Sequence, residues 1–338
     1  MNFNIFFTNS CNLNCYYCYE KEKNEKVISK KVLDQTLNFM DSVIKDNEES
    51  INVTTHGGEP FIAYDMIKYF IQEARRRFPK IQFSMTTNAT LLTDEKIEFI
   101  MENYKSFAVS IDGIKKAHDA NRVFKDGSGS YDIVINNIKK VLQKGFPAQA
   151  RMTINPYNYQ YLSEGIIELI EIGFTDIMPM PDTFTNEWSE EMFDDMKKEL
   201  EKVILYLKSN QLDTDVSIGL IDAVKCKMKN SSCDGGITTF SINTDGEVYP
   251  CMLVNGRKEY NIGSVTRGIS NEKLEHVHCC DSEIIQECQG CTRYDYCTNT
   301  RCKIINEVVQ GNANYPIVAR CKVENIAVEL YEYSNKIG

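Results

Sequence analysis

The sequence predicts an α/β chain in two parts. An open, partial parallel barrel of six strand–helix units is expected over residues 1–215, and a small cysteine-rich domain ending in a helix over 216–338. Two observations carry this. β-Branched and aromatic runs alternate with longer amphipathic stretches through the first two-thirds of the chain. Such alternation requires right-handed crossovers and a parallel sheet. Cysteine, absent for about two hundred residues, returns in bulk after residue 215.

Strands are expected over residues 3–8, 51–55, 81–86, 106–111, 148–154 and 176–180. Helices are expected over 30–46, 64–78, 94–103, 131–144, 159–172 and 190–210. Six such units are three-quarters of a closed eight-unit βα barrel, whose chemistry sits at the C-terminal ends of the strands. The unusual residues follow strands: Cys11 to Cys18 the first, His56-Gly57-Gly58-Glu59-Pro60 the second, Asn88 the third, Ser110 to Gly113 the fourth. They belong on one face.

A length of 338 residues suits two domains, and 42% hydrophobic with 25% charged residues is the composition of a globular protein. No apolar run reaches membrane-spanning length and no signal peptide opens the chain, so a cytoplasmic location is expected. The net charge of −10 argues against nucleic acid or an anionic membrane as partner. Thirteen cysteines without a secretion signal point to metal or redox chemistry rather than disulfides.

Cys11-x3-Cys15-x2-Cys18 offers three thiolates in one loop. A zinc knuckle would need a fourth ligand, and the nearest histidine, His56, lies 38 residues beyond Cys18. The motif resembles that of the radical S-adenosylmethionine (SAM) superfamily. The resemblance implies that the three cysteines hold a [4Fe–4S] cluster with one open iron, which chelates SAM and yields a 5′-deoxyadenosyl radical. It also implies cofactor contacts. Gly57, Gly58, Glu59 and Pro60 match the glycine-rich element toward the SAM amino group. Ser110 and Asp112 match ribose-side polar groups, and Tyr17 the aromatic beside the adenine. Arg151 is placed like the arginine of the SAM carboxylate, with a surface salt bridge as the plain alternative. Asn88 is a pocket residue or a turn cap. The stretch from Gly127 to Tyr131 lacks a following Lys-Ser/Thr and reads as a turn with a helix N-cap.

The second cysteine set resembles the SPASM extension of that superfamily: Cys233, then Gly246-x4-Cys251, then Cys288-x2-Cys291-x5-Cys297-x4-Cys302, then Cys321. The gap before Cys302 is one residue longer than the family pattern. The resemblance implies an inner auxiliary cluster on Cys226, Cys233, Cys251 and Cys302. An outer one would sit on Cys288, Cys291, Cys297 and Cys321, making three [4Fe–4S] clusters in all. A pair of zinc sites is the alternative. Cys279 and Cys280 fall outside the pattern, as ordinary loop residues or as spare thiols.

Family members of this type modify peptides. The expected activity is a radical SAM oxidoreductase that matures a ribosomally made precursor peptide by thioether crosslinking. Peptide epimerisation and carbon–carbon crosslinking are the alternatives from the same chemistry. Formylglycine formation, as in anaerobic sulfatase maturases, is a third, disfavoured because Met252 stands where those enzymes place an acid after the cysteine. A non-catalytic zinc or cluster scaffold leaves the Gly57–Pro60 and Ser110–Asp112 elements without purpose. The expected partners are the precursor peptide and a reductant such as flavodoxin or ferredoxin. Only two residues precede the first expected strand, so a leader-binding domain is expected as a separate chain, or else leader binding uses another surface of this one.

Overall fold

The computed structural model describes residues 1–20, 23–44, 50–225 and 233–337. Cys226 and the expected end of the first helix at residue 46 lie outside them. In chain order the elements begin with β1 (Asn2–Thr8), α1 (Lys30–Val43), β2 (Ile51–Gly57), α2 (Tyr64–Arg77), β3 (Ile81–Thr87) and α3 (Asp94–Asn103). They continue with β4 (Ser106–Ser110), α4 (Lys115–Asn121), α5 (Tyr131–Gln143), β5 (Gln149–Ile154), α6 (Leu162–Ile172), β6 (Asp176–Pro181) and α7 (Glu190–Ser209). After these come β7 (Ser217–Ile218), α8 (Gly219–Asp222), β8 (Thr239–Ile242), β9 (Glu247–Tyr249), β10 (Gly263–Ser264) and β11 (Gly268–Ile269). Last are α9 (Asn271–Val277), α10 (Thr298–Arg301), α11 (Lys303–Gln310) and α12 (Val318–Lys336).

The expected α/β fold with a parallel-strand sheet is present. By packing, the chain groups into two compact units that alternate along the sequence. One comprises Met1–Asn14, Cys18–Ala108 and Asp234–Cys279; the other comprises Cys15–Tyr17, Val109–Cys233 and Cys280–Gly338. This grouping cuts across the sequence boundary expected near residue 215.

In the first unit β1 lies between two parallel neighbours, β2 and β8. β2 continues in parallel to β3, while β8, β9, β10 and β11 run on as an antiparallel meander. Phe3, Ile5 and Phe7 are fully buried on β1, and Phe240 on β8 stacks on Phe3 at 5.6 Å between ring centroids. Each such side chain stabilises the fold by roughly 1.5–3 kcal/mol. The helices start where their caps dictate. Ser29 accepts from Val32 N at 3.3 Å and Thr93 from Lys96 N at 3.3 Å, each worth about 1 kcal/mol.

In the second unit β5 pairs in parallel with β6, and β6 with β7. Ser189 caps α7 through Met192 N at 3.3 Å, and the C-terminal helix α12 packs along α7 through a Lys322–Glu190 ion pair of 2.6 Å. Three expectations change in detail. β2 runs on through His56 and Gly57, because β1 continues to pair with it to that point. The helix expected from residue 159 opens as a short 3-10 turn, Tyr159–Tyr161, before α6. α4 was not expected, since seven residues after Asp112-Gly113 carry too little periodicity to announce a helix.

Candidate active site

The loop that leaves β1 carries the three cysteines. In the first unit Cys11 is 6% exposed, and its Sγ accepts from Leu13 N at 3.4 Å. Asn88 Nδ2 reaches the same sulfur at 3.9 Å and donates to Asn12 Oδ1 at 3.0 Å, while Asn88 Oδ1 accepts from Thr90 N at 3.0 Å. Asn88 thus caps a turn and reaches the loop that carries Cys11. N–H groups directed at Cys11 sulfur suit a thiolate, as a cluster ligand must be.

Gly57 and Gly58 lie against this loop. Gly58 N donates to Thr8 O at 3.0 Å and Glu59 N to Ser10 O at 2.9 Å. A Cβ on Gly57, at φ +143°, would lie 2.4 Å from Thr8 O; one on Gly58 would lie 2.4 Å from Ser10 O. Only glycine permits that approach. Glu59 is fully buried, and its carboxylate is engaged inside the protein. Oε1 accepts from Thr87 Oγ1 at 2.7 Å and Phe61 N at 3.1 Å, and Oε2 from Asn88 N at 2.8 Å. Glu59 thus ties the glycine element to the loop after β3. Pro60 opens a 3-10 turn, where its missing N–H costs nothing.

Beside these residues stand two groups that sequence reasoning did not assign. His56 Nδ1 accepts from Gly57 N at 2.8 Å, with Tyr19 Oη 3.5 Å from its Nε2 and Glu20 Oε1 3.8 Å from Nδ1. Burial lowers the imidazole pKa to about 4 and pushes the Glu20 carboxyl up to about 7. The imidazole is neutral at physiological pH. Tyr19 and Glu20, with Asn243, Leu253, Asn255 and Arg257, line a cavity of about 1030 Å³ within this unit. Cys251 opens a 3-10 turn, Met252–Val254, and its Sγ accepts from Leu253 N at 3.4 Å. The one signal for Glu20 in the sequence was an acid two residues beyond the last cysteine of the motif.

In the second unit the middle of the loop is held by the segment after β4. Tyr16 N donates to Asn121 O at 2.9 Å, and Tyr17 Oη donates to Asp112 Oδ2. Asp112, 2% exposed, also accepts from Thr153 N at 2.9 Å and faces Arg122 Nε at 3.1 Å. Its carboxylate is thus engaged by three groups of the chain itself. The Arg122 guanidinium lies 5.2 Å from the Tyr17 ring centroid. Burial raises the Tyr17 phenol well above its ordinary pKa of 10. Arg122 is 7% exposed and was missed, because no spacing announces a buried arginine.

Ser110 is half-buried at the end of β4, and Ile111 N donates to Arg151 O at 3.0 Å. The Arg151 side chain is exposed, and among the described residues no ion pair closes on it. The Gly127–Tyr131 stretch forms a turn, with Val123 bridging Gly129. Ser130 does not cap α5: its hydroxyl donates to Arg122 O at 2.7 Å, and Asp119 Oδ1 accepts from Tyr131 N at 2.9 Å instead.

Cys288, Cys291, Cys297 and Cys321 share this second unit. Burial raises the thiol pKa of Cys288 and Cys321 and takes Cys297 to about 11; neighbouring thiols of the same set push each further in the same direction. Four thiols within one unit are an all-sulfur donor set, the type that holds iron–sulfur clusters. Among the described residues no three His, Cys, Asp or Glu side chains close on a point as a single metal ion requires. Cys233 and Cys302 also belong to the second unit, whereas Cys251 belongs to the first. Cys279 is exposed and Cys280 half-buried.

A family model described as the Radical SAM superfamily matches residues 5–166. The cysteine-type anaerobic sulfatase-maturating enzyme of Clostridium novyi (strain NT) is 23% identical over 318 residues, covering 86% of this chain and 84% of that protein. The solved structure of native anSMEcpe with bound AdoMet superposes with a TM-score of 0.79 at 19% identity, covering 100% of both chains. Streptococcus suis SuiB bound to precursor peptide SuiA matches with a TM-score of 0.69 at 16% identity, over 95% of this chain and 75% of that one. At those identities the two structural likenesses are ones of fold.

Proposed function

We propose that this chain, an enzyme of the radical SAM superfamily with a SPASM-type cysteine-rich region, matures a precursor peptide by forming a sulfur-to-carbon thioether. The observation that carries this reading is the pairing of Cys251-Met252, with no acid after the cysteine, with a cavity of about 1030 Å³ beside Tyr19 and Glu20. A cavity of that size accommodates several peptide residues.

The donor sets fit the implied cofactors. Cys11, Cys15 and Cys18 would hold the SAM-binding cluster, with Asn88 and Leu13 N directed at Cys11 sulfur. Cys288, Cys291, Cys297 and Cys321 would hold an outer auxiliary cluster, and Cys226, Cys233, Cys251 and Cys302 an inner one. When bound, the first cluster and SAM supply a 5′-deoxyadenosyl radical that removes a hydrogen atom from the peptide. The protein's part is geometric. Gly57 and Gly58 bring β2 against the metal loop, Glu59 locks that junction to the loop after β3, and Tyr17 is pinned by Asp112. Ser110, at the end of β4, and Arg151, on β5, would take the SAM ribose and carboxylate. Closing an S–C bond then releases a thiol proton and one electron, which a fully thiolate-coordinated auxiliary cluster would accept. A reductant of the flavodoxin or ferredoxin type would supply the first cluster. No helix among the described residues is long and apolar enough to cross a membrane.

A second reading, formylglycine formation, is favoured by the similarity to a sulfatase-maturating enzyme. One experiment separates them. Anaerobically reconstituted protein is incubated with SAM, a reductant and either a cysteine-containing precursor peptide or a sulfatase-derived peptide. Loss of two hydrogens with loss of the free thiol, and no reaction with an aldehyde probe, is expected. An aldehyde on the sulfatase peptide would replace the crosslinking reading with the second.

A further inference from the structure

The Cys15–Tyr17 segment packs with α4 and the end of β4, whereas Cys11 and Cys18 pack with the other unit. Two contacts hold it there. Tyr16 N donates to Asn121 O at 2.9 Å, and Asn121, 2% exposed, is itself fixed by Asn155 Nδ2 at 2.6 Å. Tyr17 donates to Asp112, which faces Arg122 Nε at 3.1 Å. The arginine is a buried cation lying 5.2 Å from the Tyr17 ring centroid.

We propose that Arg122 is a positioning residue for the catalytic iron–sulfur cluster: packed on Tyr17 and paired with Asp112, it fixes the Cys15 arm of the metal loop and sets how readily that cluster accepts an electron. Charge close to a cluster tunes its potential strongly, because burial removes the water that would screen it. A cation favours the reduced state, which carries one more negative charge. Asp112, 3.1 Å from Arg122 Nε, is the counter-charge that lets the guanidinium stay ionised while buried. Asp112 works the other way on the cluster, since its carboxylate offsets part of the arginine charge. Arginine and aspartate thus push the potential in opposite directions while both support the same fold.

That opposition supplies the test. Wild-type, Arg122→Gln, Arg122→Lys and Asp112→Asn proteins are reconstituted anaerobically as full chains. The N-terminal cluster is followed by EPR through the change its signal undergoes when SAM is added, during a redox titration. Arg122→Gln is expected to keep its iron and need a more negative potential. A tenfold smaller reduced-to-oxidised ratio at fixed potential corresponds to about 59 mV for one electron. Arg122→Lys should restore most of the shift, and Asp112→Asn should move the potential the other way. Unmoved potentials, shifts of the same sign in Arg122→Gln and Asp112→Asn, or loss of the SAM-responsive cluster in all three variants would overturn the proposal. The inference rests on a cluster at Cys11, Cys15 and Cys18 and not on the peptide chemistry. No peptide enters the assay, so its failure is distinguishable from failure of the crosslinking reading.

Discussion

Gly58 approaches Ser10 so closely that a Cβ on the glycine would sit 2.4 Å from the Ser10 carbonyl oxygen and 3.0 Å from Cys11 Cβ. The first of these neighbours is backbone, which cannot swing away as a flexible side chain would. Gly58→Ala should therefore displace the loop that presents Cys11. The expected outcome is partial loss of the N-terminal cluster and at least a roughly tenfold fall in SAM cleavage, as a misplaced group near a reacting centre commonly produces. Iron assay and 5′-deoxyadenosine release measure both.

The metal count divides by region. Protein reconstituted without oxygen should hold about twelve irons, and the Cys11, Cys15 and Cys18 triple alanine variant about eight, with no SAM cleavage. Stoichiometric zinc in place of iron, in protein from anaerobically grown cells, would defeat the cluster assignment.

Cys288→Ala or Cys321→Ala should each remove the outer auxiliary cluster, lowering iron by about four. SAM cleavage should survive while peptide product falls, because radical generation sits elsewhere. Undiminished product in both variants would mean that the outer site takes no part in turnover. Urea unfolding run alongside separates this from general loss of structure, since metal binding and folding are coupled.

Crosslinking returns no hydrogen to the substrate, so Cys279→Ala and Cys280→Ala should both keep maturase activity, with a product lighter by two hydrogens. Mass spectrometry after reaction in deuterated water checks this. An unchanged mass apart from one solvent deuterium, abolished by either substitution, would instead identify a thiol hydrogen donor and an epimerase.

His118 makes the fold sensitive to acid. It is fully buried, with Nδ1 accepting from Asp112 N at 3.3 Å and Nε2 placed 2.9 Å from Ser130 Oγ. Burial, then the charges of Arg122 and Lys115, hold its pKa well below 6.5. The unfolded chain takes up a proton near pH 6.5 that the native state refuses, so the unfolded state binds more protons and stability falls with pH. His118 costs nothing above about 6.5, and below it the loss approaches about 1.4 kcal/mol per pH unit until the native pKa is reached. Urea titrations at about pH 7.5 and 5.5 should show a steeper pH dependence for the wild type than for His118→Gln.

The helices and strands of the six βα units were legible because their apolar periods are long. α3 matches residue for residue, and most strand ends fall within two residues. β8 was not assigned, although Asp245-Gly246 between two β-rich runs is a hairpin signal; Gly246, at φ +84°, takes the left-handed conformation such a turn requires. The cysteines and glycines of the site could be singled out because their types are unusual for their positions. Arg122, Glu20 and the internal engagement of Glu59 and Asp112 could not. Their meaning comes from burial and from partners that no local pattern links to them: Glu59 meets Thr87, 28 residues away, and Asp112 meets Tyr17, 95 residues away.

The pairing of Asn2 with Thr239 and of Ile5 with Ile242 sets a timetable for synthesis. A ribosome delivers β1 first and its second neighbour more than two hundred residues later. Through that interval one side of β1 is an unpaired edge bearing Phe3 and Ile5, the kind of edge on which chains aggregate. Closure over so long a loop is also slow. The nascent chain therefore gains from a holding chaperone, or a reduced translation rate, until residue 242 has emerged. A fragment cut short before β8 would retain the Cys11–Cys18 loop and expose the edge permanently.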